Sequence, residues 1–154
     1  MLGRRLVKRQ RDGRFKLSLG AEERRLLGEL APQLEELLGG DDPSLRRLSP
    51  PAYLDDAEAD AEFRSLLGDD LLIARRAQLQ VLAETADADV LDEEQLLAWM
   101  GAVNALRLVL GTRLDVSEDG DAAIDPDDPN APALALYGYL GWLLEHLVGA
   151  AADS

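Results

Sequence analysis

The chain has no cysteine and only one histidine, His146, in 154 residues. The first absence excludes a disulfide framework, thiolate metal sites, a nucleophilic thiol and any thiol redox switch carried by this chain. The second excludes a His-rich metal site. Aromatics are scarce, at 5%. Long apolar runs are missing too: the uncharged stretch Asn130 to Leu144 falls short of the roughly 20 residues that span a bilayer. The N-terminus lacks the signal-peptide order of charge, apolar run and cleavage site. The expectation is a cytoplasmic protein with no membrane partner. There is no G-x-S-x-G, Walker A or Rossmann glycine run, so neither a catalytic centre nor a cofactor is expected.

Charge is abundant but uneven. The net charge is −14, yet residues 1–16 hold seven bases (Arg4, Arg5, Lys8, Arg9, Arg11, Arg14, Lys16) against one acid, Asp12. The acidic body should repel nucleic acid, and the basic arm could attract it. Phe15 then has two readings, a stacking or wedging group or a core residue under a solvated hairpin, and the second is favoured. The segment "DVSEDGDAAIDPDDPN" holds seven acids and no base. Its spacing misses the EF-hand order, so it reads as a solvated loop and no metal site is expected.

The hydrophobic content, 47%, suits a globular chain, and 154 residues suit one domain. Residues 1–19 read as a basic hairpin arm, with Asp12-Gly13 as a two-residue turn, and residues 20–150 as a helical bundle. The spacing predicts helices over Ala21–Leu38, bent or split at Pro32, and over Pro43–Leu48. A pair follows, Ala57–Leu67 and Asp70–Thr85, divided at Gly68-Asp69. The last two are Glu93 to about Leu114, opened by an Asp92–Gln95 capping box, and Ala131 to about Val148. The fold class is therefore all-α, five or six helices with a small N-terminal β-hairpin.

"WMGAVNALRLVLGTRL", from Trp99, sets an amide and a guanidinium three residues apart in an apolar helix. On a helical wheel Arg107 projects from the apolar face, Asn104 lies at its edge, and Ala98, Ala105, Thr112 and Arg113 lie outside. A buried guanidinium needs a partner. Glu145, on a final helix apolar nearly all round and in line with Gly138, Gly141 and Gly149, is the first expectation; Arg64 and Arg75 could join the network. An all-round apolar helix is central, or shared between a core and a subunit interface such as a homodimer. Asn104, Arg107 and Glu145 read first as a register-fixing polar network, then as a binding site, and last as catalytic.

The stretches "DPSLRRLSPPAY", "AEFRSLL", "AWMGAVNALRLVLGTRL" and "YGYLGWLLEHLV" resemble an actinobacterial family of unknown function, the AosR type. Its members are often encoded beside the Clp protease adaptor ClpS and near cysteine-biosynthesis genes. Trp99, Asn104, Arg107, Gly111 and Glu145 match the family pattern, and of these Trp99, Asn104, Arg107 and Glu145 are the candidate binding residues. The resemblance implies a regulatory role linked to transcription, oxidative stress or proteolysis. Two features depart from it: the chain has no cysteine for thiol sensing, and its 115–130 loop is unusually acidic. The reading is a non-enzymatic regulatory module that binds an unidentified protein partner. The alternative is a nucleic-acid-binding regulator using Arg4, Arg5, Lys8, Arg9, Arg11 and Arg14.

Overall fold

A computed structural model describes residues 6–38, 57–114, 127 and 129–152, with side chains described for all of these but 57–70. The chain runs β1 (Val7–Arg9), β2 (Phe15–Leu17), α1 (Ala21–Leu37), α2 (Ala57–Thr85), β3 (Val90–Leu91), α3 (Glu93–Arg113) and α4 (Ala131–Ala152). It is mostly helical with a small sheet, as the periodicity predicts. The helix expected at 43–48 and most of the acidic loop lie outside the described residues.

The hairpin turn differs from the expected two-residue loop. Gly13 N–H donates to Gln10 O (3.1 Å), and Gln10 N–H to Arg14 O (2.7 Å). Three residues, Arg11 to Gly13, therefore close the loop, and Gly13 takes a φ of 86°. This is a type I turn followed by a left-handed residue, where glycine avoids the Cβ clash. The Asp12 carboxylate accepts from the Arg14 backbone N–H and from Arg14 Nε, both at 2.9 Å.

Those bonds, the backbone one first, hold the Asp12 carboxyl below its ordinary range. A depressed pKa means the group favours the fold above its unfolded pKa, and that contribution is lost as pH falls through the lower native value. A carboxyl-detected NMR titration of Asp12 should therefore give a midpoint below that of an aspartate in an unstructured peptide. An ordinary midpoint would show that the turn contact does not persist in solution.

β1 pairs antiparallel with β2, with Val7 opposite Leu17, Lys8 opposite Lys16 and Arg9 opposite Phe15. The period of two buries Val7, Phe15 and Leu17 and exposes Lys8 and Lys16. β2 also pairs with β3, which sequence reading missed; Phe15 faces Leu91 across it. Two residues carry too little pattern to announce a strand. Leu6, Val7, Phe15, Leu17 and Leu19 join the same core as the helices.

α1 opens with Glu22 and Glu23 in its first turn. Gly20 has no side chain to cap with, so Glu23 does half the work: its Oε1 accepts the Gly20 N–H at 3.1 Å. The helix continues through Pro32 and is not split there. α2 likewise runs unbroken through Gly68 and Asp69, against the expected division. A helical glycine costs only about 1 kcal/mol against alanine, and α2 is long enough to absorb it. α3 has the full predicted box: Gln95 N–H donates to Asp92 Oδ1 (2.8 Å), and Asp92 N–H to Gln95 Oε1 (2.9 Å).

α2 packs on α1 and α3, and α3 packs on α4. α3 is therefore enclosed on two sides. Ala105, placed on the outer face by the helical wheel, is fully buried, as are Ala102 and Val103. α4 buries Leu140, Leu143, Leu147 and Ala150 but exposes Trp142 (39%) and Val148 (46%). The interior helix is α3, and the more apolar α4 is half-covered.

Candidate functional site: the polar seam of α3 and α4

Asn104 and Arg107 lie one turn apart on α3 and meet as the spacing suggests: Arg107 Nη2 donates to Asn104 Oδ1 at 3.1 Å. The other terminal nitrogen, Nη1, reaches Tyr137 Oη on α4 at 3.4 Å. The guanidinium carbon stands 6.0 Å from the Tyr137 ring centroid, a cation–π distance. The arginine stem passes Gly141, where an added Cβ would lie 3.7 Å from Arg107 Cδ. Glycine at 141 thus leaves room for the stem between the helices.

The expected ion pair is absent. Glu145 is exposed on α4, and Arg107 is half-buried with neutral partners only. A guanidinium can be met by a hydroxyl and an amide from nearer turns, and these take the place expected for Glu145. The Nε of Arg107 is itself buried and has no partner, and Gln78 Oε1 on α2 is in the same condition. The Gln78 amide lies over Gly101, 2.5 Å from the position a Cβ would take. Gly101 is one turn before Asn104 on α3, but Gln78 meets it from α2, so the two unfilled atoms lie on different contacts of α3.

This geometry changes what a double-mutant cycle should show. Arg107→Met strands no buried carboxylate, so its expected cost is under about 1 kcal/mol. Its effect should add to that of Glu145→Leu within about 0.5 kcal/mol. Urea melts of the four proteins test this, and a coupling above 1 kcal/mol would restore the pair.

Trp99, a candidate binding residue by sequence, does not reach the surface. It is fully buried, and its indole N–H donates to Thr85 Oγ1 at 2.6 Å. The Thr85 hydroxyl in turn donates a hydrogen bond to Val81 O on α2. Trp99 is a core residue that ties α3 to the end of α2.

The residue that sequence reading overlooked is Arg24. From α1 its Nε donates to Leu19 O (3.1 Å), and its Nη1 to Ala86 O (3.2 Å) and Ala88 O. Nη2 reaches Leu17 O and exposed Asp89, both at 3.4 Å. One guanidinium thus collects carbonyls from the sheet, the β2–α1 link and the α2–β3 link. In sequence it is one of many surface-like arginines, because its carbonyl acceptors are backbone atoms, two of them more than 60 residues away.

On the hairpin, Arg4 and Arg5 lie outside the described residues. Lys8, Arg9, Arg11 and Arg14 are exposed, and Arg14 pairs with Asp12 at 2.9 Å. Phe15 is in the core with Arg9 over its ring at 5.8 Å, so it offers no stacking face. Lys8 and Lys16 stand directly opposite each other. Such like-charge pairs are unfavourable, so Lys8→Glu should raise stability by about 0.2–1 kcal/mol, read by thermal melting. A loss of stability would mean that the lysines have anionic neighbours in solution.

On the other side of α4, Tyr139 Oη donates to Glu23 Oε2 at 2.7 Å. Trp142 lies 6.0 Å from the Tyr139 ring and 4.8 Å from His146, edge to face. An apolar cleft of about 160 Å³ lies between α1, α3 and α4, lined by Leu34, Leu37, Leu106, Val109 and Leu136 among others. It is smaller than the ~300 Å³ lower bound of ordinary ligand pockets. Among the described residues no helix is long and apolar enough to cross a membrane.

Comparison with known proteins places the chain. Proteins named oxidative stress regulator AosR, from Mycobacterium tuberculosis and Mycobacterium bovis, are 32% identical to it over 180 aligned positions. The match covers 90% of this chain and 83% of theirs. A putative oxidative stress regulator AosR of Mycobacterium leprae is 34% identical, covering 70% of this chain and 58% of its own. No solved structure matches the chain significantly. A family model described as Domain of unknown function (DUF2017) matches residues 4–151, and the chain belongs to that family.

Proposed function

We propose that the protein is a non-enzymatic regulatory module that acts by binding another protein through the outer face of α4. The observation that carries this reading is that face itself. Trp142 and Val148 are exposed on a helix whose inner side is fully packed. Among the described residues nothing lies near the position of a Cβ at Gly138 or Gly149, so the described surface there is open to a close neighbour. Exposed tryptophan is the residue type that most often anchors an interface. The names of the relatives, oxidative stress regulators, support a regulatory role. A chain without cysteine would exercise such a role through its contacts and not through its own thiols.

The experiment is affinity capture from the organism's own extract, comparing the parent with Trp142→Ser/Val148→Asp at matched stability. A partner that binds the parent and is lost from the variant supports the reading. A partner retained by the variant would sink it. Sedimentation of both proteins alone shows whether a second copy takes the same face as a homodimer.

A nucleic-acid role has one observation in its favour, the exposed bases Lys8, Lys16, Arg9 and Arg11 gathered on the hairpin. Against it, exposed Asp87, Asp89, Asp92, Glu93 and Glu94 flank β3, on the other side of β2. A salt titration of DNA binding separates the readings, since a phosphate-binding protein loses affinity steeply with salt. Binding that Lys8→Glu abolishes would favour the hairpin.

A further inference from the structure

We propose that Arg107, Asn104 and Tyr137 form a receptor for a single carboxylate at the seam of α3 and α4. The comparison that carries this is internal to the molecule. Arg24 shows how the fold satisfies an arginine it needs for structure: carbonyls from four residues surround it. Arg107 has five N–H donors like any arginine, but only two acceptors, both neutral and one of them distant. Its Nε–H is unfilled. No carboxylate among the described residues compensates its charge, although Glu145 is only one helical turn beyond Gly141.

The surroundings suit an incoming acid. Tyr137 Oη accepts from Nη1 and keeps its own proton to donate. The ring beneath limits the directions the guanidinium can turn. Gly141 and Gly138 put no side chain on the α4 rim: the first leaves space that the arginine stem fills, and the second leaves open space. One fixed positive charge with a hydroxyl donor matches a monoanion, and the planar fork matches the two oxygens of a carboxylate. A phosphate dianion would leave one charge uncompensated. Carboxylate binding here does not need a partner over Trp142, although Gly138 borders both surfaces.

The test uses the full-length, ¹⁵N-labelled protein and follows the Arg107 Nε–H signal together with the backbone amides of residues 104, 107 and 137, which remain as reporters in every variant. The probes are sodium acetate, inorganic phosphate, and a short alanine peptide bearing one glutamate, each against sodium chloride at equal ionic strength. A saturable shift with acetate, absent with chloride, is expected at millimolar concentration. Arg107→Lys keeps charge and stem but loses the fork, and should weaken acetate binding at least tenfold with an unchanged amide spectrum. Tyr137→Phe, which needs no refolding of the core, should weaken it several-fold.

Peptide binding tenfold tighter than acetate would assign the carboxylate to a protein side chain, and equal binding would assign it to a free acid. Three results would overturn the proposal: no saturable shift, phosphate binding tighter than acetate, or acetate binding that persists in Arg107→Lys. Markedly tighter acetate binding in Glu145→Gln would also overturn it, by showing that Glu145 itself takes the fork in solution.

Discussion

Replacing Arg24 by methionine is expected to lower the stability of the protein by about 3 kcal/mol. The methionine stem can fill much of the space of the arginine stem, so packing is a minor loss. What goes is the set of N–H donors to Leu17, Leu19, Ala86 and Ala88. A hydrogen bond to a charged group is worth about 1.5–3 kcal/mol, and a buried carbonyl left unfilled costs a further desolvation term. The side chain is only 12% exposed, so water cannot replace the guanidinium freely. Its ion pair with Asp89 contributes little, because that carboxylate is 88% exposed at 3.4 Å.

Asp89→Ala should therefore cost under about 0.5 kcal/mol, and so should Arg25→Ala, whose pair with Glu29 lies in solvent. Urea melts of the three variants make the comparison. Equal small effects would mean that the carbonyls find other donors and that Arg24 is not the tie between sheet and helices. Hydrogen exchange adds a local readout. Loss of Arg24 should raise exchange at Ser18 and Ala88, whose amides donate to Leu6 and Thr85 carbonyls beside the cluster.

Trp99→Ala is expected to cost about 3–5 kcal/mol, the range for removing a buried large aromatic. The ring is fully enclosed where α3 meets the end of α2. Its loss leaves a cavity on α3, which is packed from two sides and cannot collapse inward easily. Trp99→Phe keeps most of the volume and should cost about 1–2 kcal/mol. Thr85→Val should cost a similar amount by leaving the indole N–H without its acceptor. Urea melts of these variants followed by circular dichroism make the comparison, and the Trp142→Phe protein, with Trp99 intact, isolates Trp99 fluorescence. Native emission should be blue-shifted and should shift red on unfolding. A binding residue would behave otherwise: Trp99→Ala would spare stability and remove a partner.

Local features were legible because their causes lie within a few residues. The Asp92–Gln95 box and the acidic first turn of α1 depend on neighbours within one helical turn. The hairpin was readable from Asp12-Gly13, although the loop holds three residues, because glycine serves both turn types. Asn104 and Arg107 were singled out correctly as a contacting pair, since helical spacing alone brings them together. Their third partner, Tyr137, was missed in favour of Glu145. A carboxylate is the stronger partner on paper, but which α4 side chain sits across from Arg107 depends on how the two helices pack.

Composition, turn residues and apolar period by themselves determined a helical chain with a basic hairpin, no thiol chemistry and an unusual arginine on an apolar face. Only the tertiary structure decided that α3 is interior and α4 half-covered, though α4 is the more apolar of the two. Hydrophobicity states how much surface a helix would bury, not how many neighbours arrive to bury it. The roles of Trp99 and Arg24 were decided the same way. Trp99 became a tie between α2 and α3 because Thr85 lies beside it, and Arg24 became a hub because distant backbone carbonyls converge on it. Backbone acceptors have no letter in a sequence, so a side chain that serves them cannot be told from one that faces water until the chain is folded.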